Sequence, residues 1–417
     1  MREMKDSKVK WLGAIPLEWK VERVKHGFIR KKAEAHQDNP IVLSLARTGV
    51  RERDISNNEG QIAESYYNYN PVDVDDLLIN PMDLYSGANC SISKISGVIS
   101  PAYVNLRYRE GYNPQYYDYY FKLQYWLMAF FAHGKGVSYE NRWTLNAETL
   151  MNYPIIVPTE CEQRKIVDYL NTKCSKIDEI IQKQKVIIEK LKEYKLSVIS
   201  EIVTKGLNRN VEMKDSQDDF VGEIPYHWEM LKFGRCISVK SNLVPPDDYK
   251  DYPQISPDCI EKGAARLVGH KTVEESGVIS WNHLFFKGQI IYSKIRPLLD
   301  KVVIAPFDGL CSADMYPIET SNNPKFVVYM MLSAYFHSQV ALVTENRVKM
   351  PKINQNELTN ITVVMPPMEE QKEIVEWLDR KCHEIDKNIS ARELLIEKYS
   401  KYKKSLIFEV VTGKKEV

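Results

Sequence analysis

At 417 residues the chain exceeds what one hydrophobic core usually supports, so two or more domains are expected. Its 44% apolar and 27% charged content is ordinary for a globular protein. No apolar run approaches the ~20 residues of a membrane-spanning helix. A net charge of +1 argues against an indiscriminate nucleic-acid coat but leaves room for basic residues gathered on one surface.

The N-terminal stretch "MREMKDSKVKWLGAIP" is charged and carries no apolar run of signal-peptide type, so a cytoplasmic location is expected. It leads into "GAIPLEW" (Gly13–Trp19). Short alternating or apolar runs follow: "NPIVLSL" (39–45), "VDDLLI" (74–79) and "SPAYVNLRY" (100–108). Punctuated by Gly, Pro and Asn, they predict mixed sheet with loops. One helix is predicted over Asn113–Gly134, whose Tyr and Phe suit a core better than a ligand box. Then "TLNAETLMNYPIIVP" (144–158) runs into "PTECEQRKIVDYL" (158–170), the start of a long charged segment.

From Leu170, alternating steps of four and three pass through Cys174, Ile177, Ile181, Gln184, Ile188, Leu191, Lys195, Val198 and Ile202. Eight of these ten positions are apolar and the flanks are rich in Lys, Glu and Gln, which predicts a coiled-coil seam. Gln184 and Lys195 interrupt it, either as a snorkelling edge of the stripe or as register-setting positions. No Pro or Gly breaks the helix, and Gly206 stands where a left-handed cap belongs.

The polar "GLNRNVEMKDSQDD" (206–219) reads as a linker. Beyond it "GEIPYHW" (Gly222–Trp228) echoes the opening motif, and "GQIIYSKI" (288–295), "KVVIAPF" (301–307) and "ADMYPIE" (313–319) predict strands. A helix is predicted over Asn323–Val343. "KINQNELTNITVVMP" (352–366) and "PPMEEQKEIVEWL" (366–378) then start a second long helix. Its seam is Leu378, Cys382, Ile385, Ile389, Arg392, Ile396, Tyr399, Lys403, Leu406 and Val410, with Gly413 at its end.

Pro158–Thr204 matches Pro366–Thr412 without a gap, with 21 identical pairs that include Gln163/Gln371, Asp178/Asp386 and Tyr194/Tyr402. The segment is duplicated, while the regions ahead of each copy are unlike. The expected segments are 1–158, 159–207, 208–365 and 366–417. A helix with so narrow a seam needs a partner, and the other copy is the obvious one. About 40 residues make a rod of roughly 60 Å, whereas a 14-residue linker reaches at most about 50 Å. Parallel packing would require the chain to travel back along the rod, so antiparallel packing is expected. The predicted fold is α+β: two mixed α/β globular domains separated by two long antiparallel coiled-coil helices, with pseudo-two-fold symmetry.

Seven cysteines without a C-x-x-C pair suggest neither a disulfide framework nor a zinc site. Cys174 and Cys382 fall on the apolar seam and read as small buried hydrophobes. No G-x-x-x-x-G-K-[ST] loop, glycine-rich dinucleotide fingerprint or paired-histidine metal motif occurs. Pro257-Asp258 lacks the carboxylate partners of a metal-dependent nuclease. No catalytic or metal-binding residue is expected.

The order variable region, long helix, variable region, long helix, with "G-x-I-P-x-x-W" openings and "P-x-x-E-Q-[RK]-x-I-V-x-[YW]-L" lead-ins, resembles the specificity subunit of Type I restriction–modification systems. So do "SKIRP…KVVIAP" and "KLKEYKLSVISEIVTKGL". The resemblance covers essentially the whole chain. It implies two target-recognition domains that each read half of a bipartite double-stranded DNA target. The helices would act as a ruler and dock two modification (methyltransferase) subunits. It implies no membrane partner and no cofactor on this chain; S-adenosylmethionine, ATP and Mg²⁺ belong to modification and restriction subunits.

Loops with basic residues are then the candidate DNA-reading surface, Arg for guanine edges and Lys for phosphates. The expected residues are Arg47, Lys135, Arg142, Lys294, Arg296, Arg347 and Lys349. The loops "GKGVSYENRW" (134–143) and "TENRVKMPK" (344–352) hold equivalent places ahead of the two long helices. Surface loops carry Arg and Lys in any protein, and two other readings fit the same pattern: a protein–protein scaffold, and an enzyme with unfamiliar motifs.

Overall fold

The structure, a computed structural model, describes all residues except 1, 47, 56–62, 64, 83, 85–88, 137–142, 346 and 348–349. The long helices form where the seam predicts, over Glu160–Lys205 and Met368–Val411. All ten seam positions in each are buried or half-buried. Cys174 and Cys382 are buried free thiols whose titration is pushed up by that burial. Thr159 and Glu162 start the first helix reciprocally. The Thr159 hydroxyl accepts from the Glu162 N–H, and the Glu162 carboxylate accepts from the Thr159 N–H. Gly206 and Gly413, both at φ 72°, follow the helix ends. A Cβ on Gly206 would lie 3.0 Å from the Trp228 ring and one on Gly413 2.9 Å from the Trp19 ring, so both positions require a bare α-carbon.

The chain divides into two compact units, Met1–Lys183 with Leu394–Val417, and Gln184–Glu393. Each contains one globular region, the lead-in part of one long helix and the final turns of the other. In the first unit Lys403 donates to both carboxylate oxygens of Asp178, at 2.7 and 2.6 Å. In the second, Lys195 donates to Asp386 at 2.8 and 2.7 Å. These are the same two residues of the repeat, and they meet because the helix segments run antiparallel. Parallel packing in register would set Asp against Asp and Lys against Lys. Arg392 likewise donates to Gln184 at 2.7 Å. The polar seam positions therefore make bonds across the seam instead of forming a passive edge.

The globular regions share a topology that their sequences conceal. The first unit holds an antiparallel sheet in the order Phe28–Lys31, Val104–Tyr108, Leu77–Ile79, Cys90–Ile92. The second repeats it as Ile237–Val239, Met315–Thr320, Ile290–Ser293, Val302–Ile304. The second unit also holds a five-stranded sheet, ordered Leu243–Val244, Asn282–Phe285, Gly309–Cys311, Pro253–Ile255, Lys271–Thr272. Its counterpart in the first is two antiparallel strand pairs, Leu43–Ala46 with Gly49–Glu52 and Asn70–Val72 with Gly97–Ile99, joined by a parallel bridge between Val42 and Val98.

Three sequence expectations change. The helix expected over 323–343 is two, Pro324–Met331 and Ala334–Thr344, meeting at 60°. Ser333 breaks the apolar run because its hydroxyl accepts from the Phe336 N–H and starts a new helix. The helix expected over 113–134 ends at Trp126, followed by Met128 in the left-handed region. The stretch read as linker holds a strand, Met213–Asp215, paired with Glu223–Pro225 as Met4–Asp6 pairs with Ala14–Pro16.

The opening and lead-in motifs turn out to be two sides of one joint. The Trp19 indole donates to Glu162 at 3.1 Å, and the Trp228 indole to Glu370 at 2.9 Å. Gln163, fully buried, accepts from the Asn113 N–H and donates to the Pro158 carbonyl. Gln371 does the same with Asn323 and Pro366. Each Asn caps its domain's helix, so the joint ties that helix to the long one. Tyr117 and Tyr120 complete the anchoring by donating to the carbonyls of Ile156 and Pro154, in the strand that feeds the first long helix.

Candidate nucleic-acid interface

In the second unit the strand Ile290–Ser293 runs out into the basic loop 294–301. The chain returns to it after Thr344. Ile295 and Lys352 form an antiparallel bridge, Ile353 N–H donates to the Lys294 carbonyl at 2.9 Å, and Arg296 N–H donates to the Pro351 carbonyl at 2.8 Å. Two basic segments far apart in sequence are thereby zipped into one surface, which brings Lys294, Arg296 and Arg347 together.

Their situations differ. Lys294 is half-buried, with its ammonium 5.3 Å from the centre of the Tyr316 ring, a cation–π contact that holds it in place. Arg296 is exposed, and among the described residues its guanidinium makes no hydrogen bond. Its backbone sits at φ 45° ahead of Pro297, and Asp300 (φ 47°) and Met350 (φ 48°) are also left-handed. Three strained non-glycine residues in one loop pair are of the kind found where a backbone is held for a task. Asp300 is pinned by His337, whose Nδ1 lies 2.8 Å from the carboxylate. This bond raises the imidazole above its usual range. Arg347 donates to the Glu357 carboxylate and the Lys352 carbonyl. The pair raises the guanidinium and lowers the carboxyl. Arg347 thus ties the returning loop to the helix Gln355–Asn360.

In the first unit Lys135 is exposed and forms a two-way backbone bridge with Thr144, both bonds 2.9 Å. The Trp143 carbonyl accepts from Leu84 N–H, and Leu145 N–H donates to the Pro81 carbonyl. The counterpart of the basic loop is therefore the stretch from Pro81 to Asn89, which contains no Lys or Arg. Arg47, Arg142 and Lys349 lie outside the described residues.

Composition points to the basic loops but misses their framework. Lys352 donates to Asp314 at 2.9 Å and so fixes the base of the bridge, and Tyr316 supplies the ring under Lys294. A basic loop followed by the sequence Lys-Met-Pro-Lys is the available signal for Lys352; nothing local marks Tyr316.

Residues 228–392 match the family model described as the Type I restriction modification DNA specificity domain. Over that stretch the chain is similar to this family. A relative in Escherichia coli, the Type I restriction enzyme EcoDI specificity subunit, is 33% identical over 241 residues, 54% of each chain. That match spans about half of the relative's length. The MjaVIII specificity subunit of Methanocaldococcus jannaschii is 24% identical over 360 residues, covering 81% of this chain and 80% of the relative. A chain from a solved assembly of the type I R-M system superposes with a TM-score of 0.71 at 13% identity, covering 96% of this chain and 99% of that chain. The last similarity concerns the fold.

Proposed function

We propose that this chain is a non-catalytic DNA-recognition subunit of a Type I restriction–modification complex. Each unit reads one half of a bipartite target, and the paired helices set the interval and dock two methyltransferase subunits. Methyl transfer and nucleotide-driven cleavage belong to the partners. The observation that carries this reading is the contrast within the duplication. The domains share a strand order but present different loops, basic in one unit and without Lys or Arg at the matching stretch of the other. The helices keep their chemistry in both copies.

That retention extends to solvent. Val186, Lys190, Tyr194, Ser197 and Glu201 lie at helical spacing on the side turned away from the seam, and all are exposed. Leu394, Lys398, Tyr402, Ser405 and Glu409 repeat them, four of the five identical. Folding explains likeness at buried seam positions. It gives no reason for half-exposed Tyr194 and Tyr402 to agree. Docking two copies of one partner does.

Methylation mapping in cells expressing this chain with its methyltransferase tests the proposal. Replacing residues 229–365 with the matching segment of a family member should change one half of the methylated sequence and leave the other half intact. A change in both halves, or a pattern indifferent to this chain, would refute it.

A further inference from the structure

Two loops outside the basic segments carry the same kind of side chain at the same point of the topology. In the second unit, 278–281 leads into the strand Asn282–Phe285; Ile279 is 93% exposed and Trp281 58%. In the first, 66–69 leads into the strand Asn70–Val72, and Tyr67 is 44% exposed. The strands are counterparts: each opens on a buried Asn and pairs antiparallel with the equivalent neighbour, Gly309–Cys311 or Gly97–Ile99. The equivalent outer segment is bonded to the loop in the first unit and to the start of the strand in the second. Ala35 and His36 N–H donate to the carbonyls of Tyr69 and Tyr67, while Val244 pairs with Asn282.

A single exposed apolar residue is ordinary. Large apolar side chains at matching tips of two domains with unrelated sequences are not. Position and apolar character are kept, Tyr-Asn-Tyr against Ile-Ser-Trp, while identity is not. One partner docking twice would select identical residues, as on the helix stripe. Two unlike halves of a DNA target select this outcome instead.

The tips are also held ready. The Asn282 amide donates to the Ser280 carbonyl at 2.8 Å, fixing the turn from inside. His283, buried beside it, is kept below its usual range by burial and by Lys294, so this strand starts within electrostatic reach of the basic loop. In the first unit His36 packs against Tyr67, ring centres 4.9 Å apart, and Tyr66 meets Tyr69 edge-on at 5.1 Å.

We propose that Ile279 with Trp281, and Tyr67, are apolar wedges that press against a base step of duplex DNA, one in each half of the target. This rests on the DNA-recognition reading above. Side chains of this type unstack and kink duplexes or stack on bases without adding charge.

The test uses the assembled complex with its methyltransferase and a duplex carrying the mapped target, labelled at both ends for energy transfer. Ile279→Ala and Trp281→Ala should each weaken binding about tenfold, reduce the bend, and leave the salt dependence and melting temperature unchanged. Tyr67→Ala should act on the other half of the target. Lys294→Ala should instead flatten the salt dependence. Full affinity and an unchanged bend in the tip variants would overturn the proposal, as would a loss that traces to failed assembly. A wild-type complex without preference for its target would overturn the recognition reading as well, which separates the two failures.

Discussion

Arg296 is exposed, held in a left-handed conformation by the Pro351 carbonyl and followed by Pro297. Arg296→Ala should cost ~1–3 kcal/mol of target binding and relax preference at one base pair, read by binding to a set of single-base variants. Arg347 differs, because its guanidinium is spent on Glu357. Its replacement should act through the loop it anchors, so Glu357→Gln should reproduce its effect. His337 adds a pH dependence. Its folded value lies above the ordinary 6.5, so its bond to Asp300 contributes fully below pH 6.5 and is lost as pH rises through the raised value. The melting temperature should fall slightly between pH 6 and 8, and His337→Gln should flatten that decline. Both side chains are partly exposed, so the change is small.

At the scale of the element, the seam was legible because heptad spacing is local and its burial follows from geometry. The break at Ser333 was hidden by an apolar run on both sides of one small polar residue. The strand Met213–Asp215 was missed although "EMKDS" occurs at both Glu3–Ser7 and Glu212–Ser216; a charged, glycine-flanked stretch reads as linker until its pairing partner is known. The basic loops could be picked by residue type, but the bridge from Ile295 to Lys352 is tertiary and leaves no local mark. Direction of packing can be tested through the repeated ion pairs. Asp386→Lys sets a lysine against Lys195 and should cost up to about 1 kcal/mol, restored by adding Lys195→Asp, since the exposed carboxylate keeps such a pair weak. Four residues inserted after Gln184 lengthen one helix by roughly 6 Å and take its later seam positions out of register with the other. Methylation mapping should then show an altered interval or no methylation, and an unchanged interval would exclude a ruler role for the helices.

At the scale of the whole molecule, the chain's last residues belong to its first domain. Leu406, Ile407, Val410 and Val411 are buried in the same core as Trp19, Phe28 and Tyr116. The Tyr116 hydroxyl donates to the Val411 carbonyl at 2.8 Å, and Lys414 donates to the Leu12 carbonyl at 2.7 Å. Val198, Ile199, Ile202 and Val203 play the same part with Trp228 and Phe233. Sequence alone separates head from rod, because a segment's apolar face says that it is buried and not against what. The consequence is a long-range dependence. Leu406→Ala should remove about 2–5 kcal/mol from the unit that contains the N-terminus, although the two lie at opposite ends of the sequence. Removing residues 406–417 should expose that core altogether. Hydrogen exchange should then rise across Phe28–Lys31 and Val104–Tyr108 while Ile290–Ser293 stays protected. Equal protection of all three strands in the truncated chain would show that the first domain does not need the end of the second helix.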